Sequence, residues 1–235
     1  APGEELTVVF RMTPRRAGTI ECDVTFTKDR ALVCRHAQCD LATTTNILAT
    51  PLAERCELPF QAATEDAPAQ ARCCTHDYTL AELQTLEARM DAFDPRATTT
   101  EAFVSATPAM RTDLYATGQP IVTHAESLAL FAELGVDMTP ELKAPATEMP
   151  FEGAYSLEDY AMQLVDAYRA AGIPPERVRL QSFDPEVVRI WLRRAPDYGA
   201  HAIWLLEPGS ELVALDGDAL AELCLLYTSP SPRDQ

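Results

Sequence analysis

Lysine is nearly missing from this chain: of its 19 basic residues only Lys28 and Lys143 are lysines. Positive charge is scarce altogether, with 19 Lys and Arg against 36 Asp and Glu and a formal charge of −17. That balance argues against nucleic acid, or an anionic membrane surface, as a non-specific partner. An anionic substrate would therefore need a local positive centre. Long apolar runs are lacking too. None approaches the ~18 residues of a bilayer-spanning helix, so no integral membrane segment is read here. The chain opens at Ala1 with neither a start methionine nor a signal-like stretch, so that end does not decide export. No CxxC or HxxxH spacing accompanies the cysteines, which weakens a zinc reading without removing it.

What is present suits a folded protein. The 235 residues, 47% of them hydrophobic, can furnish one sizeable domain or two small ones. Of the seven cysteines, Cys39, Cys56, Cys73 and Cys74 fall in one stretch that has the look of an insertion, about 39–120. These four are disulfide candidates, and the protein is expected to be periplasmic or secreted. The last residues, "CLLYTSPSPRD", break every preceding pattern and match one reading frame of a common transposase sequencing adapter. Residues 224–235 are accordingly set aside as a non-native tail, the alternative being a genuine Ser/Pro-rich end. The expected domain is 1–223, as an assembled fragment of a longer gene product.

Periodicity indicates an α/β protein. In "TLAELQTLEARM" the apolar residues 80, 83, 86 and 90 predict an amphipathic helix capped by Thr79 or Asp77. "THAESLALFAELG" predicts another, with Thr123 as N-cap, Glu126 completing a capping box and Gly135 as stop. "SLEDYAMQLVDAYRAAG" takes Ser156 as cap; "DPEVVRIWLRRAP" takes Asp184, with Pro185 at its first position. Between them lie strands near 18–26, 31–36, 136–142, 177–183 and 201–206, with Pro140 awkward inside the third. Alternating helix and strand imply a parallel sheet. Five strands could build a doubly wound sheet, or part of a (β/α)8 barrel.

The chemistry-bearing residues sit at strand ends. Glu21 and Asp23 are two apart, so in a strand they project together, as do Glu141 and Lys143. Anions held that close need a cation, a shared proton or solvent. In a parallel barrel the carboxyl ends of different strands meet at one mouth, where His36 could join them. Three carboxylates suit a hard cation, Mg2+ or Ca2+, completed by water. Taken alone these spacings are weak, and a solvated acid at a strand end is the commoner case. His124, at a helix start, and Ser182, at a strand end, are further candidates for substrate contact. His76 and His201 read as structural or exposed, and Trp191 and Trp204 as core.

"GTIECDVTFTKDRALVCRHAQCDLATTTN" resembles the signature of the glycerophosphodiester phosphodiesterase family, a His-Arg pair, then Glu-x-Asp, then a second His before a Thr-Thr loop. "TLAELQTL", "MTPELKAP" and "QSFDPEVV" follow in the order that family has, so the likeness covers roughly 17–206. It is nearest to a larger, cysteine-containing exported branch. The resemblance implies a partial TIM barrel with about five of eight strands present. It also implies a divalent metal, Ca2+ or Mg2+, on Glu21, Asp23 and Glu141, His36 as one of two acid/base histidines, and Lys143 neutralising phosphate. The implied reaction is hydrolysis of a small glycerophosphodiester to glycerol 3-phosphate and an alcohol. Two features depart from the pattern: the first histidine would fall before Ala1, so the chain by itself is expected to be inactive, and Ala37 stands where the family has Asp. A non-catalytic head-group- or carbohydrate-binding relative, or a phospholipase D-like toxin relative, are the alternatives. Preferred head group and oligomeric state are not legible.

Overall fold

The computed structural model describes residues 18–105 and 118–206. The tail at 224–235 and part of the expected insertion lie outside the described residues. In chain order the strands are β1 (Thr19–Phe26), β2 (Leu32–Cys34), β3 (Leu58–Gln61), β4 (Gln70–Arg72), β5 (Glu87–Ala88), β6 (Gln119–Pro120), β7 (Asp137–Leu142), β8 (Gln181–Ser182) and β9 (Ile203–Trp204). The helices are α1 (Leu41–Thr44), α2 (Leu80–Leu83), α3 (Thr100–Val104), α4 (His124–Leu134), α5 (Leu157–Ala170), α6 (Pro185–Arg194) and α7 (Pro196–Gly199).

The main sheet has the order β2-β1-β7-β8-β9. β1, β7, β8 and β9 run parallel, an open sheet consistent with part of a barrel. All five expected strands form, but β2 joins antiparallel to β1. The linker between Phe26 and Leu32 is far too short for a crossover, which takes a dozen or more residues, so it closes as a hairpin. Thr27 and Asp29 hydrogen-bond inside that turn, Ala31 N–H donates to Thr27 Oγ1, and Arg30 takes φ 63°.

Pro140 sits inside β7 after all. The N–H groups of Asp137 and Lys143 donate to Gly18 and Val24 of the β1 side, so the alternate position 140 turns its nitrogen toward β8. Pairing there is sparse, a Met138–Val178 bridge and the Glu141–Gln181 pair, and the Thr139 hydroxyl donates to the Arg179 carbonyl that a residue with an N–H at 140 would face.

α4 begins and ends as its sequence predicts: Thr123 and Glu126 form a capping box, and Gly135 takes the left-handed conformation at φ 68°. α5 carries a Ser156–Asp159 capping box, and α6 begins on Asp184 and Pro185. Together with the inner residues of β1 and β7, these helices enclose one core containing Val24, Phe26, Leu142, Tyr160, Leu164 and Trp191. Trp191 is fully buried and donates to the Ala161 carbonyl; Trp204, expected in the core, is only half-buried.

The predicted helix over 80–90 stops after one turn. α2 keeps its Thr79–Glu82 capping box, but Asn46 then takes the next segment. Its Oδ1 accepts from Glu87 N–H, its own N–H donates to the Glu87 carbonyl, and Arg89 N–H donates to Thr44. A second core, around Leu41, Ile47, Tyr78, Leu83 and Phe103, fills this cysteine-rich region. Disulfides Cys39–Cys74 and Cys56–Cys73 cross it.

Candidate functional site

The site is built on the carboxyl ends of β1 and β7. Their parallel register sets Asp23 directly beside Glu141, and the two-residue strand period puts Glu21 and Lys143 on the same face. One oxygen each from Glu21, Asp23 and Glu141 lie within 4.8 Å of one another. Lys143 closes the group: its Nζ is 2.8 Å from Asp23 Oδ1 and 2.7 Å from Glu141 Oε1. Glu141 is buried, Asp23 half-buried and Glu21 exposed, so the group opens outward through Glu21.

The electrostatics follow from that crowding. The Glu21 carboxyl is pushed up to about 7, first by desolvation and then by the charges of Asp23 and Glu141. Burial alone would depress the Lys143 amine. Its hydrogen bonds and charge contacts with Asp23 and Glu141 outweigh that and hold it above the ordinary lysine value. One ammonium for three carboxylates leaves an uncompensated anionic pocket, and oxygen donors at this spacing fit a hard divalent cation completed by water.

His36 is exposed beyond the end of β2. It lines two cavities: one of about 490 Å³ shared with Glu21 and Asp23, and one of about 590 Å³ shared with Glu141 and Lys143. The structure thus gathers the three predicted acids, Lys143 and His36 around one region. His124 and Ser182 are not brought there, and the expectation of substrate contact at either is corrected. His124 is 1% exposed and packs edge-on against Tyr168. Ser182 is fully buried, donating to the Leu142 carbonyl and accepting from Asp184 N–H, so its hydroxyl helps start α6.

Two residues that hold the site escaped the sequence reading. Arg35 grips Asp40 through two hydrogen bonds of 3.2 and 3.1 Å and so shapes the loop carrying His36. Gln38, buried, donates to the Phe26 carbonyl and accepts from Ala146 N–H, joining the loops after β2 and β7. The run "RHAQCD" holds both Arg35 and its partner Asp40, whereas the partners of Gln38 lie elsewhere in the chain. Cys39–Cys74 anchors the same loop to the cysteine-rich region.

Comparison with known proteins gives this arrangement a family. The family model "Glycerophosphoryl diester phosphodiesterase family" matches residues 12–206. An "Extracellular protein" of Arthroderma benhamiae is 49% identical over 118 residues, covering 49% of this chain and 48% of that one. This chain thus matches about half the length of that curated relative. Among solved structures, a protein described as a glycerophosphoryl diester phosphodiesterase from Silicibacter pomeroyi superposes with a TM-score of 0.57 at 19% identity, over 87% of this chain and 62% of that one. One from Agrobacterium tumefaciens gives 0.55 at 18%, over 91% and 62%. At those identities the likeness is one of fold.

Proposed function

This chain belongs to the glycerophosphoryl diester phosphodiesterase family, and from that premise we propose that its acid cluster holds Ca2+ or Mg2+ for hydrolysis of a glycerophosphodiester to glycerol 3-phosphate and an alcohol. The observation that carries the reading is the meeting of Glu21, Asp23 and Glu141 from neighbouring strands, with Lys143 among them and His36 beside them. Hard oxygen donors and a deficit of positive charge are what a divalent cation requires. Such a cation, when bound, polarises a phosphoryl oxygen and offsets its charge in a chain that is otherwise acidic.

The side chains have separable tasks. Glu21, with its carboxyl raised to about 7, is partly protonated near neutrality, and positive charge arriving beside it favours the ionised form. Lys143 keeps its charge in the pocket and presents it to the phosphate. His36, exposed at the rim, can take or give the proton that moves between attacking hydroxyl and leaving alkoxide. Among the described residues no second histidine lines either cavity, so the chain alone is proposed to bind metal without useful turnover. Its two disulfides, and the extracellular relative, support a periplasmic or secreted protein.

Calorimetric titration with Mg2+ and Ca2+ tests the metal reading on this chain. Binding should saturate at one ion and be lost in Glu141→Gln; equal binding by that variant would refute the site. In the protein extended to the length of its relatives, glycerol 3-phosphate should be released from glycerophosphocholine. That release should stop with chelator and fall by about 10²-fold or more in His36→Ala, if the ring is the proton carrier.

A further inference from the structure

On the face of β1 opposite the acids, under the start of α4, lie two thiols that the proposed chemistry does not use. Cys22 and Cys34 are, among the described residues, the cysteines outside the two disulfides. The β1–β2 register pairs Val24 with Cys34, so Cys22 is a diagonal neighbour on the same face. Their Sγ atoms stand 2.7 Å apart. That is well inside the roughly 3.5 Å of an ordinary non-bonded contact and nearer the ~2.05 Å of a sulfur–sulfur bond.

We propose that Cys22 and Cys34 form a third disulfide, tying β2, two residues before His36, to the stretch of β1 between Glu21 and Asp23. His124 lies close enough to complete a two-cysteine, one-histidine metal set, and its Nε2 has no hydrogen-bond partner. The spacing favours the bond instead: two thiolates about 2.3 Å from a tetrahedral zinc would sit about 3.7 Å apart, a full ångström beyond what is seen. Cys39–Cys74 and Cys56–Cys73 are paired in the same fold, which fits an oxidising environment for this pair too. Both cysteines line the 490 Å³ cavity and can be reached from it. In the exchange, a small-molecule disulfide such as oxidised glutathione accepts two electrons and the two thiol protons and leaves as two thiols. One S–S bond forms and one breaks.

The bond would fix the acid pair relative to His36, a consequence that rests on the proposed metal site; the bond itself does not. Its test is a peptide map of the secreted protein, alkylated with iodoacetamide and left unreduced. Trypsin cuts after Arg16, Lys28, Arg30 and Arg35, placing the two cysteines on separate peptides, 17–28 and 31–35. The expected result is those two peptides linked, with neither cysteine alkylated. Alkylation of both, or one equivalent of zinc lost in Cys34→Ser, would overturn the proposal. For its consequence, Mg2+ affinity is compared between the oxidised protein and Cys22→Ala/Cys34→Ala. The variant should bind about tenfold more weakly, and unchanged affinity refutes the positioning role. A wild type that binds no Mg2+ defeats the metal reading and that role with it, while the peptide map still decides the bond.

Discussion

From β7 to β9 each new strand is preceded or followed by a capped helix, α4, α5 and α6 having 11, 14 and 10 residues, and burial follows from one repeated helix-on-strand contact. Residues 39–105 contain, as described, no helix longer than five residues, yet Ile47, Tyr78, Leu83 and Phe103 are as deeply buried as anything on the sheet. Short elements cannot supply cooperative backbone hydrogen bonding of their own. That region draws its order from two disulfides and from side chains bonded to nearby backbone. Thr45 Oγ1 donates to Leu41, Thr50 Oγ1 to Ile47, and Asn46 reaches Glu87. The site thus stands on two kinds of support: its acids on the sheet, and the loop after His36 on the crosslinked region.

The largest expected effect lies on the sheet side. Trp191 is fully buried between α5 and α6 and bonded to Ala161, so Trp191→Ala should cost about 4 kcal/mol in urea unfolding. Hydrogen exchange should show the loss first in α5, α6 and β7–β9. Equal loss of protection across 39–105 would dissolve the distinction between the regions. The complementary change, Cys56→Ala/Cys73→Ala, opens a loop of sequence separation 17 and should cost about 3 kcal/mol. Exchange should then rise across 41–105 and leave α5 nearly unchanged.

What could be read from the sequence follows the same division. α4, α5 and α6 announce themselves through caps that are local in sequence, Thr123 with Glu126, Ser156 with Asp159, Asp184 with Pro185. The acid pair on β1 and the pair on β7 were visible for the same reason: the strand period is itself a local rule. The helix over 80–90 was over-extended because the residue that ends it, Asn46, lies 41 positions away. β2 was expected without its direction. His124 and Ser182 were misjudged because position at an element's end does not reveal which way a side chain is buried. The hold of Gln38 on Phe26 and Ala146 could not be inferred from "RHAQC" alone.

The smallest effect makes the finest comparison, since one device appears in both regions. Ser156 and Asp159 form a capping box on the 14-residue α5, and Thr79 with Glu82 forms another on the four-residue α2. Ser156→Ala should cost about 1 kcal/mol. Thr79→Ala should cost less, because α2 has one turn to lose and Leu80 N–H is also held by Asp29. The pH dependence has a fixed sign. The Ser156 hydroxyl and then its N–H hold the Asp159 carboxyl below its ordinary 3.8, so the cap's contribution is complete above that value and is lost as pH falls through the lower folded one. The gap between wild type and Ser156→Ala should therefore be widest near neutrality and narrow below about pH 4. Thermal unfolding of both proteins across that range measures it, and a gap that widened in acid would mean that Asp159 caps α5 in its protonated form.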